Sequence, residues 1–203
     1  MKYDRDLALQ TRINTHLSRI TGIEKDYYQD LSISDIFELK TVLADINNML
    51  TYKTTMYAAE WLIDFFQLDK VYSKKLLELI KTTKPNSNGF DINIINKNLK
   101  VVAEVKCINP INLGHKFGSA QKNSIISDFQ KLNNGKKKRS GDSIIDNTKD
   151  FYKILFFLDN DHRVSTAIHD LVKRTDFKIK ILSTESFCMM DKEHIYIKIL
   201  SEI

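Results

Sequence analysis

Apolar residues fall along this chain in two rhythms. Through residues 1–82, which hold one glycine and no proline, the spacing is helical. Leu7, Leu9, Ile13, Leu17 and Ile20 form a stripe over residues 5–20, and Gly22 is positioned to end that helix. Residues 27–30 read as a loop. Ser34 is the expected N-cap of a second helix, with Asp35 in its first turn. There Ile36, Leu39, Leu43, Ile46 and Leu50 step by three, four, three and four residues. That is one seam of a coiled coil or one face of a helical hairpin, and with only two heptads covered, packing within the chain is the simpler expectation. Thr54 or Thr55 can cap a third helix over 56–67. Ala59, Trp61, Leu62, Ile63, Phe65 and Phe66 make it apolar nearly all round, which predicts burial and leaves Glu60 in need of a partner. Residues 71–80 predict a fourth helix.

Beyond the polar loop at 82–88 the rhythm changes. Phe90 to Ile95 and Leu99 to Ile108 are β-favouring runs joined by Asn96-Lys97-Asn98, the mark of a hairpin. Asn109-Pro110 stops the second strand. A loop over 111–118 carries Lys116. Ser119 can cap a helix over 120–132, whose Ile125, Ile126, Phe129 and Leu132 share one side. Residues 152–158, YKILFFL, predict a strand covered on both faces at the centre of a sheet. A helix over 164–173, a strand over 178–182, a short helix over 183–190 and a last strand over 195–200, expected at an edge, complete the chain.

The hairpin also carries charge. Asp91 opens the first strand. Glu104 and Lys106 lie two apart on the second and share a face, while Ala103, Val105 and Cys107 face the other way and can enter a core. Charge on a strand this apolar is costly unless it is paired or binds metal.

Asp91, twelve intervening residues and then Glu104-Val105-Lys106 resemble the motif of the PD-(D/E)XK nuclease superfamily, with Phe90 in place of its nominal proline. The order helix, hairpin, helix, strand, helix, strand over residues 54–182 is similar to its core. The resemblance implies an α/β fold of restriction-endonuclease-like type, a mixed β-sheet flanked by helices, with residues 54–203 as the nuclease-like core and 1–53 as an N-terminal helical extension. It implies Asp91, Glu104 and Lys106 as catalytic residues. Asp91, Glu104 and the Val105 carbonyl would hold one or two Mg²⁺ ions. Glu60 would be the helix glutamate that many members add to the metal site, with Asp64, one turn on, as its substitute. Gln121 matches a glutamine that one branch of the superfamily carries on the following helix, although that branch's tyrosine four positions on is Ile125 here.

The charge distribution is compatible with a polyanionic partner. Residues 1–82 hold 11 Lys/Arg and 12 Asp/Glu, and residues 83–203 hold 20 and 14, so the net +5 lies with the half that carries the motif. Lys136, Lys137, Lys138 and Arg139, in a loop between two glycines, are candidates for phosphate contact, with Lys116 and Gln121 beside them. The bland alternative is a solvated loop. Two cysteines, Cys107 and Cys188, read as reduced core residues. Neither a signal sequence nor a transmembrane run is evident, which predicts a cytoplasmic protein with no membrane association. Scattered histidines, no nucleophile motif and no phosphate-cradling glycine loop argue against other enzyme classes.

The expected function is Mg²⁺-dependent hydrolysis of double-stranded DNA by a restriction or defence endonuclease, acting as a homodimer because two strands need two sites. A structure-specific or repair nuclease is the alternative within the class. A non-catalytic nucleic-acid-binding module on the same fold is the alternative outside it. In a third reading, Glu104 and Lys106 are merely a same-face ion pair in an unrelated α/β protein.

Overall fold

A computed structural model describes residues 4–84, 89–136, 145–182 and 190–201. The chain divides into two compact units, Met1–Asn47 and Asn48–Ile203. Among the described residues no helix is long and apolar enough to cross a membrane.

In the first unit, α1 (Arg5–Thr21) starts on the Asp4 carboxylate, which accepts from Leu7 N–H, and ends at left-handed Gly22. Residues 27–30, expected as a loop, form a one-turn helix α2 (Tyr27–Asp30), because the Asp26 side chain caps it. α3 (Ile33–Phe65) begins in this unit. Its N-cap is Ser32 rather than Ser34. The Ser32 hydroxyl accepts from Asp35 N–H at 3.2 Å, and the Asp35 carboxylate accepts from Ser32 N–H at 2.8 Å, a reciprocal box. Among the described residues of this unit only Tyr27 is buried. Of the seam residues, Ile36, Leu43 and Ile46 are not covered by the described residues of this unit.

The expected break before residue 56 is absent, and α3 runs unbroken into the second unit. Thr54 and Thr55 do not cap a new helix. Their hydroxyls donate back to the carbonyls of Leu50 and Thr51, so both sit mid-helix without orphaning any backbone group. The helix is buried along one stripe, Thr54, Thr55, Ala58, Ala59 and Leu62, and not all round. At 100° per residue, Tyr57, Glu60 and Asp64 fall on the opposite, exposed side. α4 (Lys70–Thr82), capped by Asp69, buries Leu76 and Ile80.

The remaining elements are β1 (Ile92–Ile95), β2 (Lys100–Lys106), α5 (Ser119–Asn134), β3 (Tyr152–Leu158), α6 (Arg163–Val172), β4 (Ile179–Leu182) and β5 (Ile195–Leu200). The architecture is α/β, a mixed five-stranded sheet in the order β1-β2-β3-β5-β4 with helices on both faces. β1 and β2 are antiparallel and all other pairs parallel. β3 takes the centre, as its unbroken apolar run requires. Leu155 and Phe157 point into one core with Val102, Ile125 and Phe129, while Ile154 and Phe156 point into the other with Ala59, Leu62 and Val105. The last strand is not at an edge. β5 lies between β3 and β4 because Ile195, Tyr196 and Ile197 are all buried, and β4, with exposed Lys180, takes the edge. Cys107 is a half-buried free thiol. Cys188 and the short helix expected over 183–190, Met190 apart, lie outside the described residues.

Candidate metal and phosphate site

Hairpin geometry brings Asp91 and Glu104 together. Ile92 is opposite Ala103, so one step further along the antiparallel ladder sets Asp91 across from Glu104. β1 has ended there, and the Asp91 side chain takes over the ladder's role. Its Oδ2 accepts from Val105 N–H at 2.7 Å. A strand residue turns its N–H and C=O toward the same neighbour, so the Val105 carbonyl is directed to the Asp91 side as well.

Glu104 is 6 % exposed. Burial, then the neighbouring Asp91 charge, pushes its carboxyl up to about 7, against the opposing pull of Lys136. Lys136 makes a 2.8 Å ion pair with Glu104 Oε1, and its ammonium lies 5.0 Å above the Phe90 ring. The first member of the basic loop thus sits on the carboxylate pair. It reaches there because α5 ends at Gly135, whose φ of 83° and ψ of 176° turn the chain back so that Lys136 N–H donates to Ile145 O. Lys137, Lys138 and Arg139 lie outside the described residues.

Lys106 shares the α5 face of β2 with Glu104. Its Nζ lies 2.6 Å from Asp128 Oδ2 and donates to the Ser124 hydroxyl at 3.0 Å. Asp128 is 1 % exposed and also receives Lys131 at 2.7 Å. Burial pulls Lys131 down, but the Asp128 hydrogen bond, with the charges of Asp128, Glu104 and Asp91, leaves its ammonium above the usual lysine value. Three carboxylates and three ammonium groups therefore interleave at one end of the hairpin.

Sequence reasoning missed Asp128, Ser124 and Lys131. A signal for Asp128 existed. Ile125, Asp128, Phe129 and Leu132 follow the i, i+3, i+4, i+7 spacing of a buried stripe, and one of the four is charged. The other expected site residues are elsewhere. Glu60 and Asp64 are on the exposed side of α3, and Glu60 lines a separate shallow cleft with Tyr57, Leu158 and Asn160. Instead α3 presents Asn48, Thr51 and Tyr52 to a cleft beside Asp91, whose opposite wall includes Lys81, Lys84 and Phe90. Gln121 is engaged within the chain. Its Oε1 accepts from Gly118 N–H at 3.0 Å and its Nε2 donates to Asn109 O at 2.6 Å, tying the start of α5 to the end of β2. Lys116 is exposed in the preceding loop. Asp159, from the acidic run after β3, is buried and caps α6 by accepting from Val164 and Ser165 N–H.

Among the described residues, no three Asp, Glu, His or Cys side chains are grouped to hold a metal ion by themselves. Mg²⁺ does not need three, since it binds through one or two carboxylates and completes its shell with waters and phosphate oxygens. Asp91, Glu104 and the Val105 carbonyl fit one such ion. A carboxyl that burial has made reluctant to ionise is also one that a divalent cation would return to its charged form. Glu60 is turned away, and the third carboxylate of the cluster, Asp128, is engaged by Lys106 and Lys131. Neither a family model, a curated protein nor a solved structure matches this chain.

Proposed function

We propose that this protein is a Mg²⁺-dependent endonuclease of restriction-endonuclease-like fold that hydrolyses double-stranded DNA. The observation that carries the reading is the pairing of Asp91 with Glu104 across the open end of the hairpin, with Lys106 on the same face. An ion held by Asp91, Glu104 and the Val105 carbonyl would neutralise charge at the scissile phosphate. Lys106 holds the attacking water by donating a hydrogen bond to it, the water's proton leaving to solvent, and Asp91 and Glu104 would fix where the ion and its phosphate sit. Lys136 is the resident counter-charge of Glu104, and with an ion on Glu104 it would be available to a phosphate oxygen. The DNA backbone follows the cleft beside Asp91, with Lys81 and Lys84 against phosphates and the Asn48 and Thr51 side chains as neutral donors. Cutting both strands calls for two copies of the chain.

The test is cleavage of supercoiled and linear plasmid with Mg²⁺, with EDTA, and with Lys106→Ala. Cutting that needs Mg²⁺ and drops by about 10²-fold or more in the variant is the expected result. Linear product would support a dimer and nicked circles a single active chain, and discrete bands would separate a sequence-specific enzyme from a repair nuclease. Cutting that survives EDTA or Lys106→Ala would sink the reading. Separately, Lys81→Ala/Lys84→Ala is expected to weaken DNA binding in gel shifts and lower the slope of log K against log[salt] by about 2. An unchanged slope would remove this cleft as the DNA path.

The Lys136–Glu104 ion pair favours one second reading, a non-catalytic nucleic-acid-binding module, since it balances Glu104 without an ion. DNA binding with no cutting under Mg²⁺ or Mn²⁺ would identify it.

A further inference from the structure

We propose that Asp128 is a positioning residue that holds Lys106 for the reaction, an inference that rests on the nuclease reading above. Asp128 sits on the buried side of α5 between Ile125 and Phe129, both fully buried, where a carboxylate is costly unless paired. One lysine would satisfy it. It has two, Lys131 from its own helix at 2.7 Å and Lys106 from β2 at 2.6 Å. The Lys131 pair is local, three residues apart on one helix. The Lys106 pair crosses from helix to strand and fixes the end of a long, flexible side chain. Ser124, one turn earlier on α5, accepts a Lys106 N–H at 3.0 Å. An ammonium has three N–H groups, so the Ser124 hydrogen bond and the Asp128 ion pair leave Lys106 able to donate to a water or phosphate as well. A free lysine would lose several rotatable bonds of entropy on reaching that position, and α5 removes that loss in advance. Lys131 places a second positive charge beside the Asp128 carboxylate, on its other oxygen.

The experiment is steady-state plasmid cleavage by wild type, Asp128→Asn, Lys106→Ala and the double variant, with thermal melts of each. Asp128→Asn is expected to lower kcat by 10- to 100-fold with KM for DNA within twofold. In the Lys106→Ala background it is expected to cost less than twofold more, because its target is gone. A merely structural role would lower both backgrounds equally. If Asp128→Asn does not fold, Ser124→Ala carries the test at an exposed position, with kcat expected to fall several-fold at unchanged melting temperature. Wild type that cuts while Asp128→Asn or, failing that, Ser124→Ala cuts within twofold of it overturns this inference alone. Equal losses in both backgrounds overturn it too. Wild type that cuts with no divalent ion overturns the nuclease reading and this inference with it.

Discussion

Glu104→Gln is expected to stabilise the protein at pH 8 while removing Mg²⁺-dependent DNA cleavage. The two effects have one cause, the cost of keeping a carboxylate charged on a buried strand face. Glu104 is held up to about 7 in the folded chain, first by burial and then by Asp91, against an ordinary value of 4.5. Below pH 4.5 the side chain is protonated in both states and contributes no difference. Between 4.5 and 7 the unfolded chain loses this proton while the folded chain keeps it. Stability therefore falls as pH rises through that window and levels off above it. The full shift corresponds to about 3 kcal/mol, an upper figure because local rearrangement softens the penalty. Glutamine has the same shape and no charge to bury. Its advantage over the wild type should be small at pH 5, grow to pH 7 and then hold, as several degrees of melting temperature in EDTA. Cleavage should fall on the order of 10³-fold, since a neutral amide is a poor Mg²⁺ ligand. Mg²⁺ at pH 8 should raise the melting temperature of the wild type and leave that of the variant unchanged. Thermal melts from pH 5 to 8, with and without Mg²⁺, read all of this. A variant less stable than wild type at pH 8 would mean that Lys136 over-compensates the burial of Glu104.

Gly135→Ala is expected to destabilise the protein markedly. A β-carbon there would lie 2.5 Å from the carbonyl carbon of Asp146 and 2.7 Å from the carbonyl oxygens of Asp146 and Ile145. All three are backbone atoms and cannot swing aside. The backbone at φ 83° and ψ 176° is also one that a residue with a side chain avoids. Strain and collision together should cost about 3 kcal/mol, roughly 6–12 °C of melting temperature for a chain this size. Gly114→Ala is the control. Its φ is 71°, but nothing lies within 4 Å of the added carbon, so only the strain of about 1 kcal/mol remains. Circular-dichroism melts of the two variants separate collision from strain, and equal losses would show that the Asp146 backbone yields. Displacing Gly135 also withdraws Lys136 from Glu104, so the variant should show a steeper loss of stability from pH 5 to 7 than wild type.

Much of the architecture could be read from local pattern. The hairpin, the central β3 run and the order of elements from residue 89 to 182 follow from local pattern, because helical spacing, strand alternation and a short apolar run bounded by turn residues each favour one kind of element. The misreadings were of a different kind. Thr54 and Thr55 resemble caps, yet a threonine can also bond back to the carbonyl four residues before it, and the choice depends on whether the helix has something to pack against. Glu60 looked buried because its neighbours are aromatic, but Trp61, Phe65 and Phe66 are only half-buried and the true buried stripe is made of small residues and Leu62. β5 resembled an edge by coming last, and order along the chain does not set order across a sheet.

For the site the division is sharper. Sequence alone determined that Asp91, Glu104 and Lys106 share one end of a hairpin, since strand period and turn length leave no other arrangement. Only the tertiary structure decided what surrounds them: that α3 turns Glu60 away and offers Asn48 and Thr51, that Gly135 folds Lys136 back onto Glu104, and that Asp128 reaches from α5 to hold Lys106. Contacts within a hairpin are fixed by the geometry of a few consecutive residues. Contacts between a strand and a helix 18 or more residues away are fixed by how whole faces pack, and the energy of that packing is not local to any motif.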